Sequence, residues 1–213
     1  MSSFLDKDYE IPEKPGKYMK LKDGENRFRI LSKTPLLGYL DWTKDKKPIR
    51  FPMDAPPETS IDPSRPVKHF WAMIVWNYNV GMIQILEVTQ TSIQKKLMGL
   101  ATDIDWGDPR EYDIKITRSG SGMDTEYDVK PGRTVPIATE IMQHARATKV
   151  DIDELLTGGD PFGAETTLAH TWWRELERMP TTPLPAVAIE APEVLDSIER
   201  SDGIESPGDP LPF

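Results

Sequence analysis

Basic and aromatic side chains alternate along segments of this chain that read as β-strands. In the run NRFRILSK, Arg27 and Arg29 fall on one face of a strand, and Phe28 and Ile30 fall on the other. Two arginines do not face an apolar interior together, so their face is predicted to lie open to solvent. Cations can follow a line of phosphates while aromatic rings stack on bases, as capture of a single-stranded nucleic acid requires. The candidates for that chemistry are Arg27, Arg29, Lys68, Trp71, Trp76, Tyr78, Tyr112, Lys115 and Arg118.

Alternation alone does not tell which of the aromatic residues face outward. Lys68, Trp76 and Tyr78 share one parity in the segment VKHFWAMIVWNYNV, and Trp71 has the opposite parity. Because successive side chains of a strand project to opposite faces, only one of these sets can meet a ligand. The alternative for each ring is a place in the hydrophobic core.

Residues suited to catalysis or metal binding are few. The chain has no cysteine, which excludes disulfides, thiolate nucleophiles and cysteine-ligated zinc. Its three histidines are far apart and belong to no metal-ligand motif. The acidic run DIDWGD could hold a hard cation through Asp103, Asp105 and Asp108, but Trp106 and Pro109 make it typical of a turn. We therefore predict no enzymatic activity, no cofactor and no metal, with a metal-dependent nuclease at these carboxylates as the third-ranked alternative.

Charge is distributed unevenly along the chain. The 213 residues carry a formal net charge of −9, which by itself argues against a nucleic-acid ligand. Residues 1–149, however, contain 23 Lys and Arg against 21 Asp and Glu, whereas residues 150–213 contain 3 against 14. A near-neutral body is thus joined to an acidic C-terminal part. Because no apolar run approaches the roughly 20 residues of a membrane span and no signal-peptide pattern opens the chain, we expect a cytoplasmic protein without a membrane partner.

The apolar pattern predicts strands, then one helix, then strands again. After the strands NRFRILSK and LLGYLDW, the segment VKHFWAMIVWNYNVGMIQILEVTQ reads as a hairpin broken at residues 79–81. The segment SIQKKLMGLATD predicts a helix with Ser92 as its N-cap, and a second hairpin follows with strands near residues 112–118 and 125–129. Residues 43–66 contain six prolines and no periodicity, which predicts a long, mobile loop.

This order of elements predicts a mainly β fold. A small antiparallel barrel with one inserted helix fits it, and the oligonucleotide-binding (OB) fold is the commonest barrel of that kind. Residues 180–213 hold seven prolines and seven acidic residues against one arginine, a composition for disorder. The predicted organisation is an N-terminal arm over residues 1–25, an OB-fold-like barrel over 26–133 with the loop 43–66, a helical extension over 134–179 and a disordered acidic tail over 180–213.

Three runs of the chain form a distinctive ordered set: YMKLKDGENRFRILSK, then HFWAMIVWNYNVGMIQILEVTQTSIQKKLMGLATDIDWGDPREYDIKITRSGSGMDTEYDV, then DELLTGGDPF. Together they resemble the single-stranded DNA-binding proteins of tailed bacteriophages, over roughly residues 18–163. The resemblance implies an OB-fold protein that coats and protects single-stranded DNA during phage replication or recombination in the host cytoplasm. Some members of that family bind zinc through cysteine ligands, which this chain lacks, so zinc is not implied.

The last residues, GDPLPF, place apolar side chains on an acidic segment, where a core cannot easily reach them. They resemble the C-terminal tip of bacterial single-stranded DNA-binding proteins, with Leu211 where that tip has isoleucine. The resemblance implies recruitment of replication or recombination proteins through Asp209, Leu211, Pro212 and Phe213. The runner-up function is a phage adaptor or decoy that occupies a host replication protein through this tail and binds DNA weakly or not at all.

Overall fold

The computed structural model describes residues 15–182, which form a mainly β protein. Residues 183–213 of the predicted tail and residues 1–14 of the predicted arm therefore lie outside the described residues. The strands are β1 (Tyr18–Met19), β2 (Gly24–Ile30), β3 (Leu36–Trp42), β4 (Pro48–Pro52), β5 (Lys68–Asn77), β6 (Met82–Val88), β7 (Tyr112–Ser119), β8 (Glu126–Thr134), β9 (Ile137–Ala138) and β10 (Thr181–Thr182). The α-helices are α1 (Thr91–Thr102), α2 (Thr139–Ala147), α3 (Glu154–Thr157) and α4 (Thr167–Thr171), and 3₁₀ turns span Gly122–Asp124 and Trp172–Arg178.

The main sheet is mixed and runs in the order β1-β6-β5-β2-β7-β8, with β3 paired to both β5 and β4. All of its pairings are antiparallel except the short one between β1 and β6. No pairing among the described strands joins β8 to β6 or β1, so the sheet is not closed. The predicted succession of strands, one helix and strands is confirmed, whereas complete closure of a barrel is not found.

Strand β5 is buried on both of its faces. Phe70, Ile74 and Trp76 lie in one hydrophobic cluster, which they share with residues 137–179, called the extension below. Met73 and Val75 lie in a second cluster on the opposite face. A strand covered on both faces reads as a continuous apolar run, which is why the sequence shows little polar alternation here. Each fully buried side chain of this size contributes about 1.5–3 kcal/mol.

Helix α1 covers the second cluster and connects β6 to β7. Ile93 and Leu97 are buried on its inner face, as their spacing predicts. The predicted N-cap at Ser92 is wrong, because the cap position is Gln90, two residues earlier, and the helix starts at Thr91. The carboxamide of Gln94 donates to the carbonyl oxygen of Val88 at 2.9 Å and fixes the first turn against the end of β6.

The extension packs on the outer face of β5. Its α3 ends at Gly158, which adopts the left-handed conformation with φ of 78°. The carboxylate of Asp151 accepts hydrogen bonds from the Asp153 amide at 3.1 Å and the Thr166 hydroxyl at 2.5 Å, just before α3, whose cap position is Asp153. None of the described helices is long and apolar enough to cross a membrane.

The segment 43–66 is not the continuous irregular loop that its prolines predict, because part of it is a strand. Residues Pro48–Pro52 form the edge strand β4, paired with β3 through partners such as Phe51 and Tyr39. Proline is compatible with an edge strand because its missing N–H can face away from the ladder. The part of the segment that follows β4 is anchored by the fully buried carboxylate of Asp41. This carboxylate accepts hydrogen bonds from the Ile61 amide at 2.7 Å and the Ser60 hydroxyl at 3.0 Å.

The anchor at Asp41 gives the protein a specific acid sensitivity. Burial raises the pKa of this carboxyl, but hydrogen bonds from Ile61, Trp42 and Ser60 outweigh burial and hold the pKa below its usual range. A lowered native pKa gives stability that is present above the unfolded value of about 3.9 and is lost as pH falls through the native value. Asp41→Asn is therefore expected to cost about 1–3 kcal/mol at pH 7, with the difference from the parent shrinking below about pH 4.

Thermal unfolding of both proteins between pH 7 and pH 3 measures this difference. Asp45→Asn is the matched control, because Asp45 is exposed in the turn of the same hairpin and should leave the melting temperature unchanged. A difference between Asp41→Asn and the parent that stays constant down to pH 3 would contradict the assignment.

Candidate nucleic-acid interface

A row of three cations crosses the outer face of the sheet. Arg27 on β2 lies directly opposite Lys115 on β7, which lies directly opposite Lys130 on β8. Side chains at directly opposed positions project from the same face, with Cβ atoms about 5 Å apart. The Arg27 side chain is 47% exposed, and those of Lys115 and Lys130 are also accessible. We call Arg27, Lys115 and Lys130 the cation row.

Each member of the cation row has an acidic partner. Lys115 pairs with Glu25 at 3.1 Å, and Lys130 pairs with Asp128 at 2.8 Å. The hydrogen bond with Asp128 raises the pKa of Lys130, which keeps its ammonium charged. Exposed ion pairs contribute little net stability because both charges are well solvated when apart. A phosphate can therefore replace these carboxylates at small energetic cost.

Arg27 stacks on an aromatic ring at one end of the row. Its guanidinium carbon lies 4.5 Å from the centroid of the half-buried Tyr78 ring, and its Nε donates to Asp113 at 3.0 Å. Burial and the neighbouring Asp113 carboxylate raise the pKa of Tyr78. The phenol therefore stays protonated and donates to Asp113 at 2.9 Å. A fixed guanidinium plane over a ring offers both a phosphate contact and a surface for stacking.

Arg29 shares the face of Arg27, as predicted, but the prediction that it is open to solvent is wrong. It is 1% exposed, lies 3.3 Å from Asp113 and donates to the carbonyl oxygen of Val135. Burial lowers the pKa of Arg29, and the charge of Asp113 opposes that shift. Arg29 thus pairs with Asp113 inside the protein, and the same carboxylate accepts hydrogen bonds from Arg27 and Tyr78, which it orients.

Two of the predicted stacking rings are closed to a ligand in this structure. Trp76 lies in the cluster shared with the extension, with its ring 5.0 Å from that of His144. Tyr112 is fully buried on the inner face of β7, edge-on to Trp106 at 5.7 Å. Of the two places that the sequence left open for each ring, Trp76 and Tyr112 occupy the core, because the extension covers one face of the sheet and α1 covers part of the other.

The remaining candidates lie on separate surfaces. Lys68 is exposed at the start of β5, opposite Leu40 of β3. Trp71 is half-buried on the inner face, opposite in parity to Trp76 as predicted. Arg118 also belongs to the inner face, pairs with Asp23 and borders the gap between β1 and β8. The structure thus brings together Arg27, Tyr78 and Lys115, and not the complete predicted set.

The hairpin of β3 and β4, residues 36–52, carries a cationic surface that the sequence reasoning missed. We call it the finger. Lys44, Lys46 and Lys47 are exposed at its tip, and within residues 15–182 none of them forms an ion pair. The signal available in the sequence was the cluster TKDKK between the alternating segments YLDW and PIRFP.

Half-buried aromatic rings line the finger on both faces. Tyr39 packs edge-on against His69 of β5, with ring centroids 5.8 Å apart, and Phe51 lies opposite Tyr39 in the ladder. On the other face, the guanidinium carbon of Arg65 lies 6.0 Å from the centroid of Trp42. Cations at the tip of the finger and aromatic rings along its two strands form the combination that binds single-stranded nucleic acids without sequence preference.

No metal centre is found at the acidic run 103–108. The described part of the chain contains no group of three or more His, Asp or Glu side chains placed to hold a metal ion. Asp108 pairs with Arg110 at 2.6 Å, and Asp103 accepts a hydrogen bond from the Asp105 amide at 2.9 Å. These carboxylates shape the turn between α1 and β7.

Comparison of the chain with protein-family models, with curated proteins and with solved structures gives no match. The predicted partner-binding residues Asp209, Leu211, Pro212 and Phe213 lie outside the described residues.

Proposed function

We propose that this chain is an OB-fold protein that coats single-stranded DNA in phage replication or recombination. The pairing of its strands supports the fold. In an OB barrel the first strand pairs with the second and fourth, the second with the third, and the fourth with the fifth. Strands β2, β5, β6, β7 and β8 reproduce these four pairings in that order, with α1 between the third and fourth strands. The missing pair is the one that would close the barrel, and β1 lies along β6 in its place.

The finger is the observation that carries the proposal. It belongs to the connection between the first and second strands of the OB arrangement, a connection that OB proteins commonly use for oligonucleotides. Phosphates reaching Lys44, Lys46 and Lys47 displace no acidic partner, because the described residues offer these lysines none within ion-pair distance. Exposed bases of a single strand can stack on Tyr39 and Phe51, which share one face of the finger, whereas the bases of a duplex are already stacked on each other.

The cation row supplies a second contact in the proposal. The outer face of β5 and β6, where OB proteins often bind, is covered here by the extension. A strand leaving the finger must therefore follow another surface. Lys115 and Lys130 offer cations whose acidic partners are exposed, and Arg27 adds a fixed guanidinium over the Tyr78 ring, on the uncovered half of the sheet.

Recruitment of replication or recombination proteins through Leu211, Pro212 and Phe213 is also part of the proposal. This part is supported by the sequence alone, which places the apolar side chains of Leu211, Pro212 and Phe213 on an acidic segment. A compact apolar group of this kind can fill a pocket on a partner protein.

A fluorescence titration with oligo-dT at several salt concentrations tests the proposal, with duplex DNA of equal length as the control. The six tryptophans of the chain supply the signal. We expect quenching by oligo-dT, weaker binding of duplex and an affinity that falls as salt rises, because bound phosphates release counterions. Equal affinity for both DNAs, or no binding of either, would reject the proposal and favour the adaptor function of the tail.

A further inference from the structure

The chain leaves the described part of the molecule beside α2 of the extension. Strand β10 pairs in parallel with β9, so that its last residue, Thr182, lies opposite Ala138. The carbonyl oxygen of Thr182 accepts a hydrogen bond from the hydroxyl of Thr139 at 2.8 Å, which holds the end of β10 against the first residue of α2. The residues that follow Thr182 therefore start at the N-terminal end of this helix.

An open groove of about 410 Å³ begins at the same place and follows one face of α2. Its lining consists of Thr139, Met142, Arg146, Glu177 and Thr181. The three residues of α2 are spaced by three and four positions, which places them on one face of the helix. Because Thr181 belongs to the lining, the chain beyond β10 enters the groove as soon as it leaves the strand.

The groove offers an apolar floor and a fixed donor. Met142, which is buried, forms the floor. The Nη2 of Arg146 donates to Glu177 at 2.7 Å, and the guanidinium carbon lies 5.6 Å from the centroid of the Trp173 ring. Within residues 15–182, no acceptor receives a hydrogen bond from the other two nitrogens of this guanidinium. An occupant rich in carbonyl oxygens would supply those acceptors.

The segment 183–189, PLPAVAI, has that character. It contains no charged residue, whereas the seven acidic residues of the predicted tail all lie within residues 190–213. Pro183 and Pro185 lack a backbone N–H, so the segment has more carbonyl acceptors than amide donors. Proline also restricts the conformations of the free chain, which lowers the entropy that is lost on docking. The segment therefore differs in chemistry from the acidic chain that follows it.

We propose that residues 183–189 of this chain occupy the groove along α2. Leu184 covers Met142 and the aliphatic part of Arg146, and carbonyl oxygens of the segment accept from the guanidinium. The connection at Thr182 selects this occupant, because it places the segment at the groove at a high effective concentration. The proposal is independent of nucleic-acid binding, and it restricts the acidic tail to residues 190–213.

Thermal unfolding of Leu184→Ser tests this docking. Leu195→Ser is the matched control, because the same change then falls beyond the segment. We expect Leu184→Ser to lower the melting temperature by about 2–4 °C, the scale of one modest contact in a protein of this size, and Leu195→Ser to leave it unchanged. A chain that ends at Ile189 should melt as the full chain does. In Arg146→Ala, the effect of Leu184→Ser should shrink, because both side chains act in the same groove.

Nuclear magnetic resonance relaxation supplies a measurement that does not depend on stability. We expect the amide order parameter of Leu184 to lie near about 0.85, the value of a rigid backbone, and that of Leu195 to lie below about 0.6. Equal melting temperatures of the two serine variants, or equal order parameters of the two amides, would reject the docking and leave the proposed function untouched. A melting difference that grows with protein concentration would instead assign the groove to the segment of a second copy and overturn docking within one chain.

Discussion

Asp113→Ala is expected to lower the free energy of unfolding by about 3–5 kcal/mol, the cost of leaving a buried charge without its partner. The Asp113 side chain is almost completely buried and accepts hydrogen bonds from Arg27, Arg29 and Tyr78. Arg27 is half exposed, so water compensates most of its loss. Arg29 is buried and would keep its charge with only the Val135 carbonyl as a partner, so the cost arises there.

Urea-induced unfolding of a small set of variants measures this effect. Arg27→Ala is expected to cost less than Asp113→Ala, because the Arg27 side chain is half exposed and Asp113 keeps Arg29 and Tyr78 as partners. The double change Asp113→Ala with Arg29→Met is expected to recover much of the loss, because an apolar side chain removes the unpaired charge. If Asp113→Ala costs no more than Arg27→Ala, Asp113 does not neutralise Arg29 in the way described.

The second large effect is expected on DNA affinity, from removal of the finger's cations. We choose Lys44→Ser, Lys46→Asn and Lys47→Ser together, with asparagine at position 46 because Lys46 has φ of 60°. Each phosphate contact to a single strand contributes about 0.7 to the slope of log K against log salt, so loss of three contacts should flatten that slope by about 2. This corresponds to a loss on the order of 100-fold in oligo-dT affinity at 0.1 M salt.

A control variant with the same change in formal charge distinguishes the loss of local phosphate contacts from the effect of the protein's net charge on DNA affinity. Lys149, Arg174 and Arg178 are exposed on the extension, outside the residues of the finger, and changing all three to serine removes as many cations. We expect that variant to keep the salt slope of the parent. Equal losses in the two triple variants would show that the finger does not contact phosphates.

Local alternation predicted the two hairpins and the inner face of α1, but it did not predict which surfaces stay open. Trp76 and Tyr78 share a parity, yet Trp76 is buried under the extension and Tyr78 is half exposed. The difference arises from packing of residues more than 60 positions later in the chain, such as His144. No short-range pattern encodes that contact.

The outcome for Arg29 has the same origin. Its parity was predicted correctly, but its burial depends on Asp113 and Val135, which β7 and the end of β8 bring to it. The principle that charged residues stay outside failed here because a carboxylate and a carbonyl accept from the two terminal nitrogens of the guanidinium, although its Nε has no partner within the described residues. The finger was missed for a different reason: the prolines that bound β4 were read as loop residues, although an edge strand tolerates them.

The burial of β5 on both faces links the extension to the rest of the molecule during unfolding. Separation of the extension would expose Phe70, Ile74 and Trp76 together, leaving a contiguous apolar surface of the kind that promotes aggregation. Local opening at this boundary is therefore costly, and the sheet and the extension should unfold as one cooperative unit. Backbone amides of β5, held between two ladders and two cores, then exchange with solvent only when the whole protein opens.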